Sequence, residues 1–321
     1  MNFSPKNAVI ATGSYLPQKI LTNSQISEFV ETNDEWIKDR TGIKQRHIAA
    51  EDELTSDLAY KAAHAAITSA NIEPTSIDLV IVATTTPDAT FPSVATKVQA
   101  KLGIIKGAAF DVQAVCAGFI YALTLADSLI KTGTATRALI IGAEKMSSII
   151  DWQDRSTCVL FGDGAGAVII DKSKTNSGII GSNLQADGRY GNILYTDGGV
   201  SSTQKSGVIK MLGREVYKHA VEKMYGSICE LLSAYKITPQ EVDVLVPHQA
   251  NIRILETLAT KLAMPSEKLV ITLATQANTS AATIPLALDH AVHSGQITQG
   301  KTVLLTAIGG GLCWGSILMR W

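Results

Sequence analysis

No apolar run in this sequence is long enough to span a membrane, and no Cys-x-x-Cys pair marks a metal or redox site. Cysteine is scarce and scattered, at Cys116, Cys158, Cys229 and Cys313. The N-terminal stretch carries one lysine, and its apolar residues are broken at Gly13 and Pro17, which predicts neither a signal peptide nor a membrane span. A cytoplasmic protein with reduced thiols is therefore expected. Charge is sparse too. Asp, Glu, Lys and Arg make up 18% of the 321 residues and the net charge is −1, so there is no global basic field for nucleic acid. Metal chemistry is not expected: His290 and His293 stand three apart with no third ligand nearby, and His47, His64 and His219 lack ligand-like neighbours.

What the chain does have is apolar residues, 46% of the total, enough for a sizeable buried core. It also has a weak internal duplication. Ile72-Glu-Pro-Thr-Ser-Ile-Asp-Leu-Val returns as Ile237-Thr-Pro-Gln-Glu-Val-Asp-Val-Leu, an offset of 165 residues from 72 to 237. Each copy follows a helical pattern, over 56–70 and 214–235, and leads into a buried-strand run, Leu79–Ala83 and Val244–Val246. Arg137-Ala-Leu-Ile-Ile-Gly then matches Thr302-Val-Leu-Leu-Thr-Ala, and Gly164-Ala-Gly-Ala-Val-Ile-Ile matches the segment from Gly311 to Met319. Continuous Val/Ile/Leu runs alternating with helices predict an α/β fold whose sheets are covered on both faces. The expected halves are 1–172 and 173–321, joined near residues 172–176 and related by a pseudo-twofold axis. A site between them would draw on both.

Cys116 lies where the strand-like segment from Phe110 gives way to the helical period of Phe119, Leu123, Ala126 and Ile130. A thiol at a helix N-terminus is expected to have a lowered pKa, and the free amides there can bind an oxyanion. A lone cysteine in apolar surroundings is also an ordinary core residue. His248 follows Pro247 at the end of a duplicated strand, on the edge where open α/β sheets place their sites; a structural histidine is the alternative. Asn278 opens a small-residue turn into a helix and reads equally as an N-cap. The repeat sets this turn opposite Cys116, because 165 residues beyond 116 is 281. Phe161-Gly-Asp-Gly-Ala-Gly is not a dinucleotide loop, since a strand-like run follows it instead of a helix. Ile308-Gly-Gly-Gly is either a ligand-approaching backbone or a tight turn.

Taken in order, Ala-Val-Cys116-Ala-Gly-Phe, Pro247-His-Gln-Ala-Asn, Asn278-Thr-Ser-Ala-Ala and the terminal Gly-Gly-Gly-x-x-Trp314-Gly-Ser resemble the β-ketoacyl-acyl-carrier-protein synthase III family, the initiating condensing enzymes of bacterial type II fatty-acid synthesis. The likeness runs from Asp34-Glu-Trp-Ile and Arg40-Thr-Gly-Ile to the C-terminus. It implies a thiolase-like fold, a duplicated five-layer αβαβα arrangement. It also implies a ping-pong reaction in which Cys116 takes an acetyl group from acetyl-CoA. His248 and Asn278 then hold the thioester carbonyl of malonyl-carrier protein during decarboxylation, and the amides of Cys116 and Gly310 form the oxyanion hole. No resident cofactor is implied, since CoA and phosphopantetheine enter as substrates.

The resemblance further implies that Trp36 and Arg155 sandwich the CoA adenine, with Arg40 beside them. Phe91 is the residue that crosses a dimer interface to line the partner's acyl pocket, so a homodimer is implied. Arg253, Lys218 and Lys261 match basic positions toward the acidic carrier protein, and Arg214 lies one helical turn before Lys218. Three departures border the site: Gln276-Ala277 stand where an aromatic or basic residue and then Gly are commoner, Cys313 replaces a common Thr, and Arg214 stands where some members have Asn. A degradative thiolase is disfavoured, because Ala307-Ile308 hold the place of its second cysteine. Two other readings remain: a related synthase priming a longer, branched or aromatic acyl chain, and a non-catalytic acyl-CoA or carrier-protein binding module.

Overall fold

The runs Leu79–Ala83 and Val244–Pro247 are buried on both faces, so each needs a partner layer above and below it. The computed structural model describes residues 7–173 and 175–321; residues 1–6 and Lys174, which falls in the expected junction, lie outside the described residues. The first sheet holds β1 (Asn7–Tyr15), β2 (Leu79–Ala83), β3 (Ala108–Val112), β4 (Arg137–Lys145) and β5 (Asp163–Lys172), in the order β1-β5-β4-β2-β3. The second holds β6 (Gly178–Ala186), β7 (Val244–Pro247), β8 (Thr302–Gly309) and β9 (Cys313–Arg320), in the order β6-β9-β8-β7. Four strands of the first order correspond to the four of the second, parallel at β2/β4 and β7/β8 and antiparallel at the other shared pairs, while the first sheet adds β3, parallel to β2. What lies beyond β7 is a single parallel bridge, Leu245 to Leu269, where the first sheet has all of β3.

Alternation along each strand divides the core into layers. Leu79, Ile81, Ala138 and Ile140 of the first sheet, with Val244, Val246, Val303 and Leu305 of the second, turn inward onto α3 (Gly118–Lys131) and α6 (Thr283–His293). Val80, Val82, Leu139 and Ile141 turn outward onto α1 (Thr55–Ala70) and α2 (Val94–Lys101). Leu245, Leu304 and Leu318 turn outward onto α4 (Gly213–Tyr235) and α5 (Ile252–Lys261). The result is five layers, helix–sheet–helix–sheet–helix. The central helices are apolar nearly all round because each has a sheet on either side; Phe119, Ile120, Leu123 and Ala126 of α3 are fully buried. A side chain of that size contributes about 1.5–3 kcal/mol on burial.

The two central helices begin alike. The 3₁₀ turns Val115–Ala117 and Ser280–Ala282 precede α3 and α6, and both start in the left-handed region, Val115 at φ 49° and Ser280 at φ 50°. A smaller cap, built from Ile26, Ile37, Ile43, Met146 and Phe161, lies over this end of the molecule. Among the described residues, no helix is long and apolar enough to cross a membrane.

Candidate active site

Each half contributes one sharp turn into a buried helix, and the turns meet beneath a cavity of about 710 Å³. Cys116, His248 and Asn278 all line it. On the first turn, the left-handed Val115 costs of the order of 1–3 kcal/mol for a β-branched residue. Tight packing from the other half opposes relaxation: a Cβ at Gly309 would sit 2.6 Å from the Ala114 carbonyl oxygen and 2.7 Å from the Cys116 nitrogen. The opposite turn is held likewise, since a Cβ at Gly142 would lie 2.3 Å from the Ala281 carbonyl oxygen.

His248 extends the register of β7, its amide donating to the Thr306 carbonyl at 2.8 Å. The Gln249 side chain ties down the loop behind it, donating to the Pro247 and Val270 carbonyls and accepting from the Thr272 and Leu273 amides. The His248 Nδ1 lies 2.7 Å from Thr283 Oγ1, and that hydroxyl lies 3.0 Å from the Ser280 carbonyl, to which it donates. Asn278 is clamped to the first half: its amide donates to Leu160 and its carbonyl accepts from Gly162, each at 3.0 Å. Its Oδ1 accepts from the Ser280 amide at 2.8 Å, which fixes the orientation of the side-chain amide and leaves Nδ2 as the free donor.

Burial dominates the electrostatics. It pushes the Cys116 thiol up to about 12, with the Ser280 hydroxyl acting the other way and the charge of Glu144 adding to the rise. The lowered value expected from the helix N-terminus is thus corrected: desolvation by burial dominates and the shift is upward. Burial also holds His248 down at about 3, so its imidazole is neutral. The resting pair is thus a neutral thiol and a neutral imidazole. Glu144, not singled out in the sequence, is buried below the site with its own pKa raised by desolvation. It accepts from the amides of Thr85 and Thr86 and from the hydroxyls of Thr84, Thr85 and Thr86. The Thr85 wall of the cavity is thereby fixed.

The mouth is cationic. Arg40, Arg155, Arg214 and Arg253 line it, and no carboxylate does among the described residues. Trp36 is close to two of them, with the Arg155 guanidinium 4.9 Å and the Arg40 guanidinium 5.9 Å from its ring centre. That spacing admits no flat ring between Trp36 and Arg155, so an adenine sandwich requires Arg155 to release the Glu31 carbonyl it now binds at 2.9 Å. Arg253 donates to the Asp39 carbonyl at 2.8 Å, tying α5 to the helix Asp34–Thr41.

The remaining candidates stand apart from the cavity lining. Lys218 is exposed on α4, one turn from Arg214. Lys261 is at the far end of α5, eight residues or about 12 Å from Arg253, with its ammonium 5.4 Å from the Tyr225 ring centre. Phe91 is 82% exposed. Gly310 packs against Leu194, while Gly309 is the glycine pressed against the Cys116 amide. Gly309 and Thr283 were not singled out in the sequence. The offset of 165 was the available signal for Thr283, since it pairs that residue with Gly118 at the start of the other central helix.

Comparison with known proteins agrees with this geometry. Two family models match, 3-oxoacyl-[acyl-carrier-protein] synthase III over residues 110–188 and its C-terminal counterpart over 232–321. The β-ketoacyl-[acyl-carrier-protein] synthase III of Wolbachia pipientis wMel is 57% identical over 317 residues, covering 98% of this chain and 99% of that protein. The synthase III of Rhodospirillum centenum is 52% identical over 320 residues, at 98% and 99% coverage. The crystal structure of the Aquifex aeolicus enzyme superposes with a TM-score of 0.94 at 47% identity, covering 98% of this chain and all of that one. The thiolase-like fold, the order of the motifs and the full-length likeness converge: this chain belongs to the β-ketoacyl-acyl-carrier-protein synthase III family.

Proposed function

We infer that this protein joins an acetyl group from acetyl-CoA to malonyl-carrier protein, releasing CO2 and CoA and leaving acetoacetyl-carrier protein, the opening step of fatty-acid synthesis. One observation carries the reading: Cys116, His248 and Asn278, drawn from both halves, line one cavity beneath four arginines and no carboxylate. An anionic CoA or phosphopantetheine thioester suits that mouth. Cys116 attacks the acetyl carbonyl, and the developing oxyanion takes the amides of Cys116 and Gly310. As CO2 leaves the malonyl group, the enolate oxygen takes hydrogen bonds from Asn278 Nδ2 and the His248 ring. Each such donor is worth roughly 3–4 kcal/mol in comparable sites.

Trp36, Arg40 and Arg155 receive the CoA nucleotide in this reading, with Arg155 swinging off the Trp36 face. Arg214, Lys218 and Arg253 meet the acidic carrier protein, and Lys261 adds charge farther along α5. A homodimer is supported by the open edge of β3, with Phe91 at 82% and Ile105 at 91% exposure close to it in sequence. The two domains are taken as 1–172 and 173–321, and the protein as cytoplasmic, with its substrates.

The test is product formation. Purified protein with acetyl-CoA and malonyl-carrier protein is expected to give acetoacetyl-carrier protein by intact mass, and Cys116→Ala to give none. Normal condensation by that variant would sink the reading.

A further inference from the structure

The reaction asks two things of His248. It must take a proton while Cys116 is being acylated and present one while the enolate forms. The hydrogen bonds behind the ring bear on how one side chain does both. Thr283 Oγ1 touches two groups, His248 Nδ1 at 2.7 Å and the Ser280 carbonyl at 3.0 Å. A hydroxyl has one proton, and a carbonyl can only accept. The two contacts are satisfied together only if Thr283 donates to Ser280 and accepts from Nδ1–H. A neutral imidazole with its proton on Nδ1 has a bare lone pair on Nε2. His248 is 3% exposed and Thr283 1%, so bulk water is largely kept from both partners.

We propose that Thr283 is a positioning residue that holds the His248 proton on Nδ1, so that Nε2 alone carries the proton of the reaction. The inference rests on the roles proposed for Cys116 and His248. In the first half-reaction Nε2 takes the proton from Cys116 Sγ, the sulfur forms a bond to the acyl carbon, and the bond from that carbon to the CoA sulfur breaks. CoA leaves as a thiol, taking that proton from Nε2, and Nε2 takes one proton from solvent when the malonyl carboxylate enters beside it. The imidazolium then donates from Nε2 to the malonyl thioester oxygen. The bond to the carboxylate breaks, CO2 departs, and the electron pair moves through the enolate. The enolate carbon bonds to the acyl carbon, the bond from that carbon to Cys116 Sγ breaks, and Nε2 returns its proton to the sulfur. One proton is consumed per turnover, and Nδ1 never exchanges its own.

The internal repeat supports a dedicated pair. At the offset of 165, His248 corresponds to Ala83 and Thr283 to Gly118. In the first half those two residues only touch, a Cβ built at Gly118 lying 3.1 Å from the Ala83 Cβ. Both polar groups occur at the same paired place in the half that holds the histidine.

The test compares Thr283→Val, Thr283→Ser and His248→Ala in two separate assays. One follows acyl loading of Cys116 from acetyl-CoA. The other follows labelled CO2 released by protein first loaded to completion. Thr283→Val removes the acceptor and lets the proton settle on Nε2. Loading is expected to slow roughly tenfold to a hundredfold, and CO2 release by no more than about threefold. Thr283→Ser is expected to restore both. His248→Ala is expected to show the reverse ranking, with CO2 release hit harder because its donor is gone. Nitrogen-15 spectra of histidine-labelled wild-type protein are expected to show His248 protonated on Nδ1, and Thr283→Val to move that proton. A wild-type ring protonated on Nε2, or a Thr283→Val protein that keeps its tautomer and slows both assays equally, overturns the proposal. A His248→Ala protein that is normal in both assays overturns the roles beneath it instead.

Discussion

The turn at Cys116 and the turn at Ala281 share a backbone and differ in chemistry. Both begin in the left-handed region, at Val115 and Ser280, and both run through a 3₁₀ turn into a helix buried between the sheets. At the tip, the first half carries a thiol and the second a methyl. At the neighbouring strand end the arrangement is reversed, with Ala83 in the first half and His248 in the second. The two halves present equivalent scaffolds, and each carries one of the two groups. Burial of both groups follows from that placement, because each turn is roofed by the other half. It also explains why thiol and imidazole rest neutral: neither has solvent to support a charge.

The severest way to break the comparison is to exchange the tips. Cys116→Ala with Ala281→Cys is expected to show no acyl loading, although a cysteine then occupies the same backbone position in the twin turn. Recovery of loading, read on the labelled peptide, would mean the halves are interchangeable. Gly309→Ala is next. Its methyl would press on the Cys116 amide from 2.7 Å, so a loss of about 1–3 kcal/mol in stability and at least tenfold in loading is expected. Denaturant melts and loading rates check it.

A milder test uses pH. His248 has its folded pKa pushed from 6.5 down to about 3 by burial. Below 6.5 the unfolded chain takes up a proton that the folded chain refuses, so stability falls as pH falls through that range. Between pH 6.5 and about pH 5, His248→Gln is expected to lose about 2 kcal/mol less than wild type, at about 1.4 kcal/mol for each pH step. Equal losses would place the ring in contact with water. The smallest expected effect is at Ala277, whose φ of 57° and ψ of −164° lie where glycine is favoured. Ala277→Gly is expected to stabilise by about 1 kcal/mol in thermal melts, while loading is unchanged.

Much of the fold was legible because the duplicated strands are apolar on both faces, a pattern with few architectures open to it. The expected helices at 56–70 and 214–235 lie within one residue of α1 and α4. That Cys116, His248 and Asn278 belong to one place was legible from their motifs, and the repeat brought two of the three together; all three line one cavity. What stayed hidden depends on contacts between halves. Gly309 reads as a turn glycine until the Ala114 carbonyl is seen against it, and Thr283 as a helix-start residue until His248 Nδ1 is found 2.7 Å away. The direction of the Cys116 shift was hidden for the same reason. A helix N-terminus can be read along one chain segment, but enclosure by a second half cannot.

The central claim is that Cys116 carries the acyl group, and the most direct measurement is peptide mass spectrometry after mixing the protein with a panel of acyl-CoAs and no carrier protein. One added acyl group is expected on the Cys116 peptide, with acetyl-CoA loading fastest. Fastest loading by a longer, branched or aromatic acyl-CoA would keep the chemistry and contradict the assigned primer. No acyl group on Cys116 from any CoA would contradict the claim itself.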